Sequence, residues 1–538
     1  MNSTDHSWQR ASAEYIRAMR HTPSNRQADA VPLMAGRPRT DISADGLQTM
    51  ENHGTAVSEI GASSGTVPAM LSSGCRVAMV AIAALSVLSR ITFAAEAAPA
   101  PAAAALPKPT LPTQLTQQVR PDLLRNHINK LCSFGTRHTL SAQADFAKGI
   151  GAARTWLQQT FEDCQRSIPN QPLLTVYTDV FEQPPVERMP AGGTIVNVVA
   201  VIPGTLEQAK DRRYYIVAHY DSMPSDKLDS ETDAPGANDN ASGTAALIEV
   251  CRILAARPLE STVVILATAG EEQGLLGAKW HAGAQRDKNT DIRAVLNNDI
   301  IGDPTPPLDG KPGPWKTSVR VFSEGLPSAP RTMQLAEIRR LASESDSPSR
   351  QIARYIREVA QWENTEVQPV LVFRPDRFLR GGDHLAFNDQ GFPAVRFSVT
   401  SEDYTRQHQT TREENGIKFG DTSDHIDENY LAGVTRLNLA TLVHLANAPR
   451  EPANTRIITA KLETGTTLRW EKSPEPDTAG YEVVWRATTS PFWEHTQDAG
   501  NVNEITLEIS KDNVFFGVRA YDKDGYRSPV SFAGAAAE

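Results

Sequence analysis

Cysteine is scarce in this chain: four residues in 538, at positions 75, 132, 164 and 251, with no C-x-x-C pair and no Cys/His ligand spacing. That excludes a separate structural zinc finger or ribbon. No block or stripe of Lys and Arg offsets the net charge of −10, which argues against nucleic acid as a partner. Long apolar runs are also missing. The best candidate, Val77 to Ser89, falls short of the roughly 20 residues a transmembrane helix needs. What is present is ordinary for a globular protein, 40% hydrophobic and 22% charged, and the length suggests two folded units plus tails.

The N-terminus departs from that average. Residues 1–69 are polar, without sustained apolar periodicity, and read as a disordered extension. Residues 70–97 have the layout of a secretory signal peptide: Arg76, a short apolar run, then Ala95-Glu96-Ala97 as a small-x-small cleavage site. Translation starting at Met70 would place this segment where signal peptides lie; the alternative is a single-span anchor over 77–95. The expectation is a secreted or periplasmic protein with no stable membrane span after processing. An Ala/Pro-rich linker (98–117) would lead into the first domain, and in an oxidising compartment Cys132 and Cys164 could pair, with Cys251 a buried thiol.

From 118 to 448, strand-like and helix-like segments alternate. Helical periodicity marks 123–131, 142–161, 240–256, 275–285, 347–361 and 427–447; apolar runs mark strands at 173–181, 194–202, 214–220, 261–269, 292–299, 367–373 and 393–398. The fold class expected is α/β, a mixed, largely parallel sheet flanked by helices. Over 451–534, apolar and polar residues alternate between turn residues, which predicts a small all-β sandwich; Trp470, YEVVWR and VRAYDKDGYRS resemble a fibronectin type III module.

Where three of the apolar strands stop, chemistry-bearing residues begin. AHYDS carries His219 and Asp221, ATAGEEQG carries Glu271 and Glu272, and LNNDIIGD carries Asp299; Asp239 lies between, in PGANDNASG. Ligands of open α/β sheets bind beyond the carboxyl ends of the strands. Each feature alone has a plain explanation: a surface HxD pair, an aspartate N-cap, an exposed Glu-Glu loop. Together they place imidazole and carboxylates at one sheet edge, where adjacent carboxylates repel and a divalent cation is the natural compensation.

The series HYDS, PGANDNASG, EE after an apolar strand, and NND resembles metallopeptidase family 28, the di-zinc aminopeptidases typified by secreted bacterial leucyl aminopeptidases. The likeness covers about 118–448, and GGDHLAFNDQGFPAVRFS (381–398) fits a further family segment. The resemblance implies a zinc-peptidase fold, two Zn(2+) ions per chain and peptide substrates. Carried over by position, it implies His219, Asp239, Glu272 and Asp299 as metal ligands, Asp239 bridging the ions, Glu271 as general base and Asp221 as the partner of His219. A fifth ligand is implied after PAVRFS; of His408 and His425, His408 lies at the family-like distance. Gly382, Asp383 and His384 are implied to line the substrate pocket.

The activity so implied is N-terminal peptide-bond hydrolysis. A single-zinc glutaminyl-cyclase-like acyltransferase, a carboxypeptidase or dipeptidase of the same fold, and a non-catalytic binding protein remain as alternatives. Arg374, Arg377 and Arg380 make the segment that would shape specificity basic in places, so a simple leucine preference does not follow. Oligomeric state is left open.

Overall fold

A computed structural model describes residues 107–536 except 167–173, 307–312, 329–331 and 461–462. The expected extension (1–69), the signal-like segment (70–97) and the start of the linker lie outside the described residues. No helix among the described residues is long and apolar enough to cross a membrane.

Three apolar runs build the centre of the molecule. Strands β3 (Arg213–His219), β4 (Thr262–Thr268) and β5 (Ile292–Asn298) pair in parallel, with β3 between the other two. Their side chains alternate between two buried faces, Ile216 and Ala218 on one and Tyr215 and Val217 on the other. A strand covered on both faces needs continuous apolar sequence, and these have it. The sheet grows to eight strands with β1 (Thr175–Gln183), β2 (Gly193–Ile202), β6 (Ser318–Ser323), β7 (Gln368–Val372) and β8 (Ala394–Val399), in the order β1-β2-β4-β3-β5-β8-β6-β7. The β1–β2, β2–β4 and β6–β8 pairs are antiparallel and the rest parallel, so the sheet is mixed.

The helices Pro121–Cys132, Gly149–Arg166, Ser242–Leu254 and Glu428–Asn447 pack against one another over one face, while Leu276–Asp287 and Asp383–Asp389 pack over the other. Parallel β3, β4 and β5 therefore end at one edge, where Asp239, the Glu pair and Asp299 enter. Two expectations change here. The helix expected from 142 begins at Gly149, whose φ of +77° belongs to the preceding turn, itself held by Asp145 Oδ1 accepting from the Ala147 N–H at 2.7 Å. Cys132 and Cys164 are free; the Cys164 thiol donates to the Thr160 carbonyl at 3.4 Å, and its helix packs on Ser242–Leu254, which carries Cys251.

The C-terminal sheets form a sandwich. One has Ala453–Ile458, Thr466–Glu471, Glu504–Leu507 and Gly534–Ala536; the other has Thr478–Ala487, His495–Gly500, Val514–Asp522 and Ser531–Phe532. Leu468, Trp470, Tyr481, Val483, Phe516 and Val518 fill the space between them. Polar anchors tie it to the α/β unit. Arg212 pairs with Glu475 at 2.8 Å, Tyr355 donates to the Arg527 carbonyl at 2.6 Å, and buried Asp346 lies between Arg354 (3.1 Å) and Arg486 (2.7 Å).

Carboxylates from both units also face each other at this junction. Burial, aided by Asp477 and Asp522, pushes Glu260 up to about 8, and burial pushes Asp522 up to about 7. Between the ordinary carboxylate range and those values the folded state binds more protons than the unfolded chain, so stability falls as pH rises through that window. Thermal melts from pH 5 to 8.5 are expected to show a falling midpoint that Glu260→Gln flattens; an equal slope in the variant would remove Glu260 as the cause.

Candidate metal centre

His219 is the last residue of β3, and its ring is buried at the parallel edge. The loop bringing Asp239 to it depends on two glycines. Gly236 has φ +50°, and a Cβ there would meet the Asp239 carbonyl at 2.5 Å; a Cβ on Gly243 would meet the Asn298 carbonyl at 2.3 Å. Only glycine fits these approaches. Glu271 and Glu272 follow β4, Asp299 follows β5, and His408 comes from the loop after β8.

Three metal-competent groups overlap: one joins His219, Glu271 and Glu272, and the other two share Asp239. His219, Asp239 and Asp299 offer ligand atoms within 4.8 Å of one another, and so do Asp239, Glu272 and His408. Asp239 divides its two oxygens between them: Oδ1 is 3.2 Å from His219 Nε2, and Oδ2 is 2.9 Å from His408 Nε2. His219 Nε2 lies 3.7 Å from Asp299 Oδ1, and His408 Nε2 lies 3.1 Å from Glu272 Oε1. His219 Nε2, Glu272 Oε1 and Asp299 Oδ1 are buried without a hydrogen-bond partner. Buried polar atoms of that kind are costly unless something else binds them, and a divalent metal fits this donor set.

Electrostatics around the triads follow from burial and crowding. Burial opposes charge on His219, but the carboxylates around it, Glu271 foremost, hold its imidazole well above the ordinary range. Burial, opposed by His219 and reinforced by Glu272 and Asp299, holds the Glu271 carboxyl well above the usual carboxylate range. Asp221 stands behind both. His219 Nδ1 is 3.5 Å from Asp221 Oδ1, and the Glu272 N–H donates to Asp221 Oδ2 at 3.1 Å. One carboxylate thus fixes both the imidazole and the turn carrying the Glu pair.

The structure corrects the residues expected to line the pocket. Gly382, Asp383 and His384 are buried behind the cleft, which their neighbour Gly381 lines. Asp383 accepts from Thr268 Oγ1, and His384 Nε2 bonds the Pro375 carbonyl at 2.8 Å. These residues begin the short helix Asp383–Asp389, so their side chains turn into the protein. His425 belongs to a separate turn, Ser423–His425, and is in none of the metal-competent groups found among the described residues.

Two contributors escaped the sequence reading. Asp421 is buried, and its carboxylate accepts from the Asn238 N–H (2.8 Å) and the Asp239 N–H (2.7 Å), clamping the shared aspartate from behind. Arg396 is fully buried and pairs with Asp299 at 3.0 Å and Asp376 at 2.9 Å. Its one signal was a charge inside the buried run AVRFSV; Asp421 had none.

The peptidase family M28 model matches residues 197–442, from within β2 to the last α/β helix. A probable zinc metalloprotease of Leptosphaeria maculans is 41% identical over 418 residues, covering 78% of this chain and 95% of the relative. Another, of Pyricularia oryzae, is 41% identical over 420 residues, covering 77% and 82%. Among solved structures, the Legionella pneumophila LapA aminopeptidase aligns at 17% identity with a TM-score of 0.43, over 63% of this chain and 75% of that one.

Proposed function

Because the chain belongs to peptidase family M28 and is a zinc metallopeptidase, we propose that it is an exported aminopeptidase that holds two zinc ions and releases the N-terminal residue of peptides. The observation that carries the two-ion reading is the division of Asp239, one oxygen toward each triad. In this reading His219 and Asp299 complete one ligand set, and Glu272 and His408 the other. Zinc bound there supplies Lewis acidity toward water and toward the scissile carbonyl.

The remaining steps belong to the chain. Glu271 lies beside His219 and Glu272 but outside both triads that share Asp239, and it lines the cleft. It takes a proton from the attacking water and delivers it to the leaving amine. A carboxyl held above its usual range by burial suits both halves of that transfer. Asp221 keeps the His219 ring and the Glu pair in place. The buried carboxylates at the floor suit a substrate's free α-ammonium group, which confines cleavage to the first peptide bond. A one-zinc glutaminyl cyclase would leave one triad without a purpose.

Export rests on the layout of 70–97, and the C-terminal sandwich is taken as fibronectin type III-like from its strand texture. The test is an aminoacyl-anilide and Gln-peptide panel with chelator and with restored zinc. Zinc-dependent release of the N-terminal residue supports the proposal, and pyroglutamate as the product would replace it with the cyclase. Asp421→Ala is expected to lower zinc affinity about 10–100-fold, as loss of a residue that orients a ligand does; zinc competition titration with a chromophoric chelator measures it, and unchanged affinity would relieve Asp421 of that role.

A further inference from the structure

The cleft above the triads, about 660 Å³, carries positive charge on its walls that the proposed hydrolysis leaves unused. Arg377, Arg380 and Arg396 line it, as do Lys279 and Arg188, whose guanidinium donates to the Glu272 carbonyl at 2.8 Å. The lining carboxylates are Glu187, which pairs with Lys227, and the floor residues Asp239, Glu271, Glu272 and Asp299, so the arginine wall has a balance of its own. Arg377 pairs with Asp376 and Glu402, Arg396 with Asp376 and Asp299, and Arg320 with Glu402. Three guanidinium groups thus share three carboxylates, and one of those, Asp299, also belongs to a metal-competent triad. With Asp299 engaged there, this wall is left with excess positive charge. Arg380 and Lys279 add to it, since neither forms an ion pair among the described residues; Arg380 lies over the Tyr404 ring at 5.3 Å, and Lys279 is exposed. Val186, Met223, Leu275 and Leu379 supply apolar wall between them, which focuses the field of these cations into the cleft.

We propose that this wall is a carboxylate subsite: the enzyme prefers peptides carrying a carboxylate close to the scissile bond, with Arg380 as the principal contact and Lys279 supporting it. A guanidinium without a fixed partner can take a carboxylate in two parallel hydrogen bonds. The carboxylate has two sources, the side chain of an N-terminal Asp or Glu, or the free C-terminus of a dipeptide. The proposal rests on the aminopeptidase reading above.

The experiment compares kcat/KM on the full, zinc-loaded protein for Glu- against Gln-anilide, and for a Leu-Leu dipeptide as free acid against its amide. Wild type, Arg380→Ala, Arg380→Lys and Lys279→Ala are measured at low and raised salt. In at least one pair the charged member is expected to be favoured about tenfold, the size of one charged hydrogen bond. The preference should shrink with salt and with Arg380→Ala, chiefly through KM, and be partly restored in Arg380→Lys. Preference within the anilide pair assigns the side chain, and preference within the dipeptide pair assigns the C-terminus. Equal rates within both pairs, or a preference that survives Arg380→Ala, overturn the subsite. Calorimetric binding of L-glutamate against L-glutamine separates the two readings. If no anilide or dipeptide is cleaved yet glutamate binds more tightly and Arg380→Ala abolishes the difference, the aminopeptidase reading fails and the subsite stands. Equal binding of the two amino acids, with no cleavage, overturns both.

Discussion

Glu271→Gln is expected to yield a folded protein that still binds zinc but turns substrate over about 10²–10⁴-fold more slowly, the usual contribution of a positioned general base. Glu271 has no part in the triads joined by Asp239, so its loss removes no ligand from either. Its backbone N–H is held by Asp221 at 3.4 Å whatever the side chain carries. Glutamine keeps the shape, removes a carboxylate crowded against Glu272, and cannot accept the proton from water. Glu272→Gln is the contrasting case: its Oε1 is one of the buried atoms without a hydrogen-bond partner, so this change is expected to lose zinc along with activity. Metal content by inductively coupled plasma mass spectrometry beside kcat separates the two. Near wild-type turnover in zinc-loaded Glu271→Gln would remove Glu271 from the mechanism.

The second large effect is structural. Asp346→Ala is expected to destabilise the protein by about 3–5 kcal/mol, the cost of leaving buried charges without a partner. Asp346 is fully buried at its carboxylate and serves two guanidinium groups, Arg354 of the α/β unit and Arg486 of the sandwich, each about 2% exposed. The amide of Gln351 donates to the same carboxylate at 3.1 Å. Removing it leaves two cations facing each other, so the sandwich loses an anchor and gains a repulsion. Urea unfolding monitored by tryptophan fluorescence measures the loss, and limited proteolysis near residue 449 reports whether the sandwich has undocked. A variant as stable as wild type would show that the other anchors and the apolar packing hold the two units together without Asp346.

The candidate metal centre was legible because His219, the Glu pair and Asp299 sit where continuous apolar strands stop. VVILAT can only be a buried strand, so the Glu pair after it stands out against its surroundings. β3, paired beside it, and β5, on the far side of β3, end the same way, at His219 and just before Asp299. His408 is implied only by the family resemblance, at the family-like distance beyond PAVRFS, with no local chemistry to mark it, which is why His425 has to be weighed against it. The failures are equally physical. Gly382, Asp383 and His384 are implied at the pocket only by likeness to a family segment, yet the segment opens a helix whose first turn is buried. Asp421 acts on backbone N–H groups 182 residues away and leaves no pattern in its own neighbourhood. Nothing in the sequence around Arg354, Asp346 and Arg486 pairs them with one another, because the docked sandwich brings them together from distant segments. Whether Cys132 and Cys164 pair stayed open because helix separation along the chain does not reveal which helix face meets which neighbour; Cys251 is the buried thiol expected.

The most direct test of the account is the number of zinc ions held by the metal-stripped protein when it is titrated and weighed intact by native mass spectrometry. The division of Asp239 between two triads predicts two ions at saturation, with N-terminal hydrolysis rising as the pair fills, and loss of both in Asp239→Ala. Saturation at a single ion with full activity would contradict it.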